Sequence, residues 1–379
     1  MIKTAAGAAA VLAGLVLTPA PASASAVPAR SADATTPTTP IAYVRSGDIY
    51  LSSGPTEKRL TTGGGFARPR FAPDGKQLAV IRKGQLWTMK PDGTALRRLT
   101  TRPASGPSWS PDGKWLAFSS LSCTGGPGVY RIPASVSPAP KAPAAPVPPA
   151  AAPVSAASPS AASPSAASPS AASPSAASGS AASPSAVSPS SAPAQPEVLF
   201  PRDCRGEDLP DESTPEPVTG TLADRLRVDD AVAWSPDGKQ IAFRGGECDA
   251  VYDACLTIGT VGSGAERMIA AYGGGSLQNR GFAVVPSWRP DGTRLAYTAY
   301  QEGETKAGNE PIHVVELDLR TGKKRTIGTP MDRELTYLDT NRALLTAQSK
   351  SGSCVTLIDL RTGTRTPLHP GSQPTPQLR

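Results

Sequence analysis

The feature that most restricts the fold of this chain is a turn written four times. Phe71-Ala72-Pro73-Asp74-Gly75-Lys76, Trp109-Ser110-Pro111-Asp112-Gly113-Lys114, Trp234-Ser235-Pro236-Asp237-Gly238-Lys239 and Trp288-Arg289-Pro290-Asp291-Gly292-Thr293 are copies of one unit. Pro holds φ near roughly −65° at the turn entry, Asp accepts bonds from nearby backbone amides, and Gly takes φ > 0 without penalty. Each copy leads into an apolar run: Leu78-Ala79-Val80, Leu116-Ala117-Phe118, Ile241-Ala242-Phe243 and Leu295-Ala296-Tyr297. This is β-hairpin chemistry, and it gives the aromatic, Asp and Gly of each copy a structural role. A worn fifth copy, Tyr337-Leu338-Asp339-Thr340-Asn341, has Asn341 where the others have Gly, and Asn is the next residue most tolerant of that backbone.

A second turn recurs within each unit. Leu319-Arg320-Thr321-Gly322 and Leu360-Arg361-Thr362-Gly363 lie 41 residues apart, and Lys90-Pro91-Asp92-Gly93 occupies the same place earlier. Short strands follow at 96–100, 324–327 and 365–368. One unit therefore holds four short antiparallel strands, and a period near 40 residues with four strands per unit is the signature of a β-propeller. The expected fold is all-β, with six four-stranded blades at 41–62, 68–101, 106–200, 229–272, 283–327 and 333–368. The first of these has only three strands, and the tail after Gly371 is expected to supply the fourth and lock the ring. A seventh blade would need a repeat hidden between Cys204 and Arg227, a stretch that has the composition of a loop.

The Trp-Ser-Pro-Asp-Gly-Lys-x-Leu/Ile-Ala-Phe unit, with Arg-Leu-Thr-Thr ends at 59–62 and 98–101, closely resembles the PD40 (TolB-like, WD40-like) propeller repeat of exported bacterial proteins. The resemblance spans most of 41–370. It implies the fold and leaves the function open, because such propellers host unrelated activities. TolB proper carries a further α/β domain before its propeller, and prolyl oligopeptidase relatives carry a hydrolase domain after it. Neither is expected here, so neither role is carried over.

Two segments are expected to stand outside the folded ring. At 1–26, Lys3, an apolar stretch at 5–17 and the small-residue sites Ala22-Ser23-Ala24 and Ala24-Ser25-Ala26 have the form of a cleaved signal peptide, and 27–40 follows as a disordered lead. That apolar stretch is too short to span a bilayer as a stable helix, and no second apolar segment approaches transmembrane length. At 136–196 the chain is almost wholly Ala, Ser and Pro, with Ser-Pro-Ser-Ala-Ala recurring every five residues. Without large apolar side chains such a tract cannot offset its ordering entropy, and a disordered insert within the propeller is expected. The secreted or envelope context suits the five cysteines. Cys248–Cys255 and Cys123–Cys204 are the expected disulfides, with Cys354 left over as a buried, inert thiol.

The search for catalytic chemistry returns little. The chain has no Gly-x-Ser-x-Gly, His-Glu-x-x-His, Walker or Cys-x-x-Cys motif, and its only histidines are His313 and His369. No metal and no cofactor is expected. The net charge of +7 is spread without a Lys/Arg run, which disfavours nucleic acid. Arg68, Arg70, Arg102 and Arg280 precede or begin the first strands of their blades, so they are candidates to ring the channel mouth and attract an acidic partner. An acidic stretch, Asp203, Glu207, Asp208, Asp211, Glu212 and Glu216, lies beside Cys204 and is expected to be a solvated loop. The expectation is a monomeric, exported, non-catalytic propeller that binds a protein or anionic ligand. The alternative is a lyase- or lactonase-type propeller enzyme acting on a small sugar or lactone through Asp229, Asp230 or Glu334.

Overall fold

A computed structural model describes residues 37–123, 127–134, 195–200, 230–246, 253–273, 281–303 and 305–378. Six antiparallel sheets of four strands make up the molecule. The first pairs β1 (Ile41–Arg45), β2 (Asp48–Ser53) and β3 (Thr56–Arg59) with β24 (Ser372–Pro376), which lies on the free edge of β1. The second runs β4 (Phe66–Phe71), β5 (Leu78–Arg82), β6 (Gln85–Met89) and β7 (Arg97–Pro103). The third runs β8 (Ser105–Trp109), β9 (Trp115–Leu121), β10 (Pro127–Pro133) and β11 (Glu197–Phe200). The fourth runs β12 (Ala233–Trp234), β13 (Gln240–Arg244), β14 (Asp253–Thr260) and β15 (Glu266–Gly273). The fifth runs β16 (Gly281–Trp288), β17 (Arg294–Gln301), β18 (Glu310–Asp318) and β19 (Lys324–Ile327), and the sixth runs β20 (Arg333–Tyr337), β21 (Arg342–Ser349), β22 (Gly352–Asp359) and β23 (Arg365–Pro370).

The first strands contact one another in the cyclic order β24, β4, β8, β12, β16, β20 and back to β24. The fold is a six-bladed β-propeller. The tail strand expected after Gly371 is β24, paired to β1 from Ile41↔Pro376 to Val44↔Ser372. The expected signal peptide and most of the expected 27–40 lead lie outside the described residues, as does nearly all of the 136–196 insert. On either side of that insert, β10 and β11 pair with each other, so the third blade is completed across it.

The Pro-Asp-Gly turns behave as their chemistry dictates. Gly75, Gly113, Gly238 and Gly292 have φ of 69°, 70°, 73° and 71°. Asp74, Asp112, Asp237 and Asp291 each accept the amide two residues on, at 2.9, 3.1, 3.1 and 3.0 Å. The worn fifth copy closes differently. Asn341 is not among the residues with positive φ, and Asp339 accepts the amides of Asn341 and Arg342 instead.

A blade buries its faces only against its neighbours, and the aromatic before each turn is the wedge between them. Trp109 packs on Ala79, Ile81 and Leu86 of the preceding blade as well as on its own Leu116 and Phe118. Phe71, Trp234, Trp288 and Tyr337 repeat the arrangement at four further junctions. Trp109 and Trp288 also donate Nε1–H to the carbonyls of Arg70 and Ala233, at 3.0 Å each, whereas Trp234 Nε1 is buried with no partner.

The disulfide expectation needs correction. Among the described residues no two sulfur atoms lie at bonding distance, so neither expected cross-link is a feature of the described structure. Cys204 and Cys248 fall outside the described residues, Cys123 and Cys255 are not free thiols, and Cys354 is free and half-buried.

Truncating Trp109, Trp234 or Trp288 to Ala should cost on the order of 3–5 kcal/mol in denaturant unfolding, as large core truncations do. The three positions should differ on replacement by Phe. That change removes a satisfied N–H and strands a carbonyl at 109 and 288, but removes an orphaned donor at 234, so Trp234→Phe should be the mildest by about 1–3 kcal/mol. Equal losses at all three would mean that the indole hydrogen bonds contribute nothing.

Candidate functional site

The first strands carry a shared irregularity. The ladder slips between Ala67 and Arg70, Ser105 and Ser108, Val284 and Ser287, and Arg333 and Thr336, and between Ala42 and Val44 opposite β24. At each slip one residue adopts a left-handed backbone: Arg68 (φ 53°), Gly106 (42°), Val285 (53°), Glu334 (60°) and Gln373 (57°). These are β-bulges, which re-aim side chains and tolerate a proline that cannot donate to the ladder. Pro69, Pro107, Pro286 and Pro374 follow four of the five. For a β-branched residue such as Val285 the conformation is strained.

The bulges set the composition of the ring's axis. On one side it is small or apolar. A methyl group at Gly106 would fall 2.1 Å from Ala231 Cα, and Ala231, Val284 and Val285 form one buried cluster. On the other side it is polar. Arg68, only 1% exposed, places Nη1 2.9 Å from Glu334 Oε1. Arg68 belongs to the second blade and Glu334 to the sixth, with the first blade between them, so the contact can form only where the first strands converge. Gln373 of β24 ties the two together: its Oε1 accepts Arg68 N–H at 2.7 Å and its own N–H donates to Glu334 Oε2 at 3.0 Å. Thr346 Oγ1–H donates to Glu334 Oε2 at 2.8 Å, and the Glu334 amide donates to Thr298 Oγ1 at 2.9 Å.

Two residues past the bulges, the first strands carry Arg70, Ser108, Ala233, Ser287, Thr336 and Thr375 in equivalent positions. Arg70 is the sole charge in this layer, and it, Ser108, Ser287 and Thr336 are half-buried. The hydrogen bond of Arg70 is to the adjacent Pro69 carbonyl, at 2.8 Å. Burial, and then the like charge of Arg68, lowers the Arg70 guanidinium to about 10, with Glu334 pulling the other way.

The four candidate arginines are therefore not equivalent. Arg68 and Arg70 lie together at the axis, though Arg68 is buried and not exposed at a mouth. Arg102 is elsewhere: on β7, the last strand of its blade, it donates to Tyr130 OH at 2.8 Å and to the Leu121 carbonyl at 3.2 Å in the next blade. Arg280 lies outside the described residues, as do Asp229 and the whole acidic stretch. Asp230 is held by both Nε and Nη2 of Arg244, at 2.6 and 2.7 Å, with each side chain 1% exposed. Among the described residues no group of three or more His, Cys, Asp or Glu side chains is arranged to hold a metal ion. Gln373, Thr298, Thr346 and Arg244 did not stand out in the sequence. The signal that could have marked the axis is the x-Pro-x-aromatic spacing of Arg68-Pro69-Arg70-Phe71, Gly106-Pro107-Ser108-Trp109 and Val285-Pro286-Ser287-Trp288.

A second titratable cluster sits at the seam between the first and sixth blades. Glu57 of β3 accepts from Tyr43 OH and Arg45, and His369 of β23 stacks on Tyr43 with centroids 5.3 Å apart and Nδ1 3.5 Å from Glu57. These groups satisfy one another, so the cluster works as a clasp.

No family model matches the sequence. Among solved structures, the chain is similar in fold to TolB from Acinetobacter baumannii, with 14% identity, a TM-score of 0.56, and coverage of 90% of this chain and 67% of that one. It is also similar to a putative TolB from Agrobacterium tumefaciens, with 14% identity, a TM-score of 0.50 and coverage of 89% and 91%. A chain of a nidogen/laminin complex matches at 10% identity, with a TM-score of 0.52 and coverage of 90% and 98%. At such identities the likeness is one of fold, and it extends from bacterial proteins to a laminin complex.

The seam makes a pH prediction. Burial, with the Arg45 charge adding to it, lowers the His369 pKa below its ordinary 6.5 despite the attraction of Glu57. The folded state therefore favours neutral imidazole, and this stabilisation is present above pH 6.5 and lost as pH falls through the folded value. Thermal midpoints should decline from neutral pH toward mildly acidic pH, and His369→Phe should flatten that decline. Turn carboxylates such as Asp291, held at about 2 chiefly by Arg289, act only at lower pH. A variant with an unchanged profile would place the titration elsewhere.

Proposed function

We propose that this chain is an exported, monomeric, non-catalytic propeller that binds a protein or an anionic ligand in the cell envelope or outside the cell. The observation that supports this reading is the state of the axial carboxylates. Glu334 is committed to Arg68, Gln373 and Thr346, and Asp230 to Arg244. A general acid or base needs a lone pair or proton free to reach substrate, and paired, buried carboxylates of this kind offer neither. What the axis has to spare is positive charge. The lyase or lactonase alternative would need Glu334 released from Arg68 as substrate enters. The 1–26 signal peptide and the resemblance of the repeat to TolB-like proteins support the exported location.

The test pairs capture with turnover. Tagged mature protein should retain a partner from culture or envelope fractions that is released by salt and by polyglutamate, while lactones and small sugars remain intact with or without divalent cations. Turnover abolished by Glu334→Gln would favour the enzyme and defeat the scaffold reading.

A further inference from the structure

Among the described residues, two arginines and one carboxylate, Arg68, Arg70 and Glu334, meet at the polar side of the axis, which leaves one positive charge without a described counter-charge in a poorly solvated place. The neighbouring ionic pair, Asp230 with Arg244, is neutral in sum, and Gln373, Thr298 and Thr346 carry no charge. The donors are unbalanced as well. Arg68 Nε is buried with no partner, and Nη1 faces Glu334 as an ion pair without hydrogen-bond alignment. Arg70 uses Nη1 on the Pro69 carbonyl and leaves the rest of its guanidinium without an acceptor among the described residues. Arginine carries five N–H donors in a planar fork, so most of Arg70's capacity is unspent. Unlike Arg68, it remains half-buried and reachable.

Resting on the scaffold reading, we propose that the axial channel at Arg70 receives the carboxylate of a ligand, with Ser287 in the same layer on the opposite blade of the ring. Three observations favour this chemistry. A planar guanidinium fork matches the two oxygens of a carboxylate. The surplus is a single charge, which a monocarboxylate balances and a phosphate dianion overshoots. The Ser287 hydroxyl, in the same layer, makes no hydrogen bond within the described residues and the residue is half-buried, so a hydroxyl stands ready for a second polar contact. Arg68 contributes field, not contact: its left-handed backbone donates its N–H to Gln373 Oε1 and its guanidinium is held by Glu334. Strained residues fixed in this manner gather at ligand sites.

The experiment is a calorimetric titration of the purified protein with N-acetylalanine and galacturonate, each beside its neutral counterpart, N-acetylalaninamide and galactose, and with inorganic phosphate. At least one carboxylate should bind, more weakly as salt rises, with its neutral counterpart at least about tenfold weaker, equivalent to 1.4 kcal/mol. A response to N-acetylalanine alone assigns a peptide carboxylate, and one to galacturonate alone assigns a uronate. Arg70→Gln should lose about tenfold or more in affinity. Arg70→Lys keeps the charge without the fork and should fall between, which serves if the glutamine variant does not fold. Carboxylate affinity unchanged in both variants, equal affinity for the neutral counterparts, tighter binding of phosphate, or no response at millimolar probe would overturn the proposal. A partner still captured by Arg70→Gln would show that the scaffold reading survives while this site fails.

Discussion

The pairing of β24 with β1 is the contact on which the rest of this structure depends. A four-stranded blade cannot bury either face alone, so stability comes from neighbours, and a ring has no spare neighbour. Without β24 the first blade would lack its inner strand, and the junction of Ile41 and Tyr43 with Leu344, Val355 and Leu357 would lose its inner edge. The same strand brings Gln373 to the axis, where it bonds Arg68 on one side and Glu334 on the other. Closure and the organisation of the axis are thus one event, accomplished by the last strand of the chain.

The bulges explain how a regular repeat produces an irregular centre. The Pro-Asp-Gly turns and the aromatic wedges are nearly alike from blade to blade, because the packing problem at each junction is the same. The bulge residue faces no such common demand. It is Arg, Gly, Val, Glu or Gln according to blade, and its left-handed backbone withdraws it from the alternation that governs the rest of its strand. The outcome is an axis with small and apolar residues on one side and a charged network on the other. Burying Arg68 and Glu334 together carries a desolvation penalty that an apolar pair would avoid, and the hydrogen bonds that Gln373 N–H and Thr346 Oγ1–H donate to the Glu334 carboxylate partly offset it.

Blade number, blade boundaries and the closing tail were legible in the sequence because each is written as turn chemistry repeated at a fixed period. The axis was legible only in part. Arg68 and Arg70 stand out by charge and by place before a turn, and they do meet at the centre. Arg102 shares both properties yet packs on Tyr130 in the next blade, because it lies on the outgoing strand β7 and the sequence spacing does not separate the end of one blade from the start of the next. Arg68 pairs with a residue 266 positions away (334 − 68), and no local pattern encodes a contact across the ring. Asn341 was misleading for the opposite reason: its turn is closed by Asp339, whose side chain accepts two amides and removes the need for a left-handed residue.

The claim at the centre of this account is that Arg68 and Glu334 act as one unit across the axis, and a double-mutant cycle measures it directly. Arg68→Met, Glu334→Gln and the double variant would each be unfolded in denaturant. Residues in one ionic and hydrogen-bonded network couple by about 0.5–3 kcal/mol, and removing one partner of a buried pair costs more than removing both. The account predicts that the double variant is more stable than the sum of the single losses implies, with coupling in the upper half of that range. Additive losses would contradict it, because they would mean that the two side chains do not meet at the axis of the folded protein.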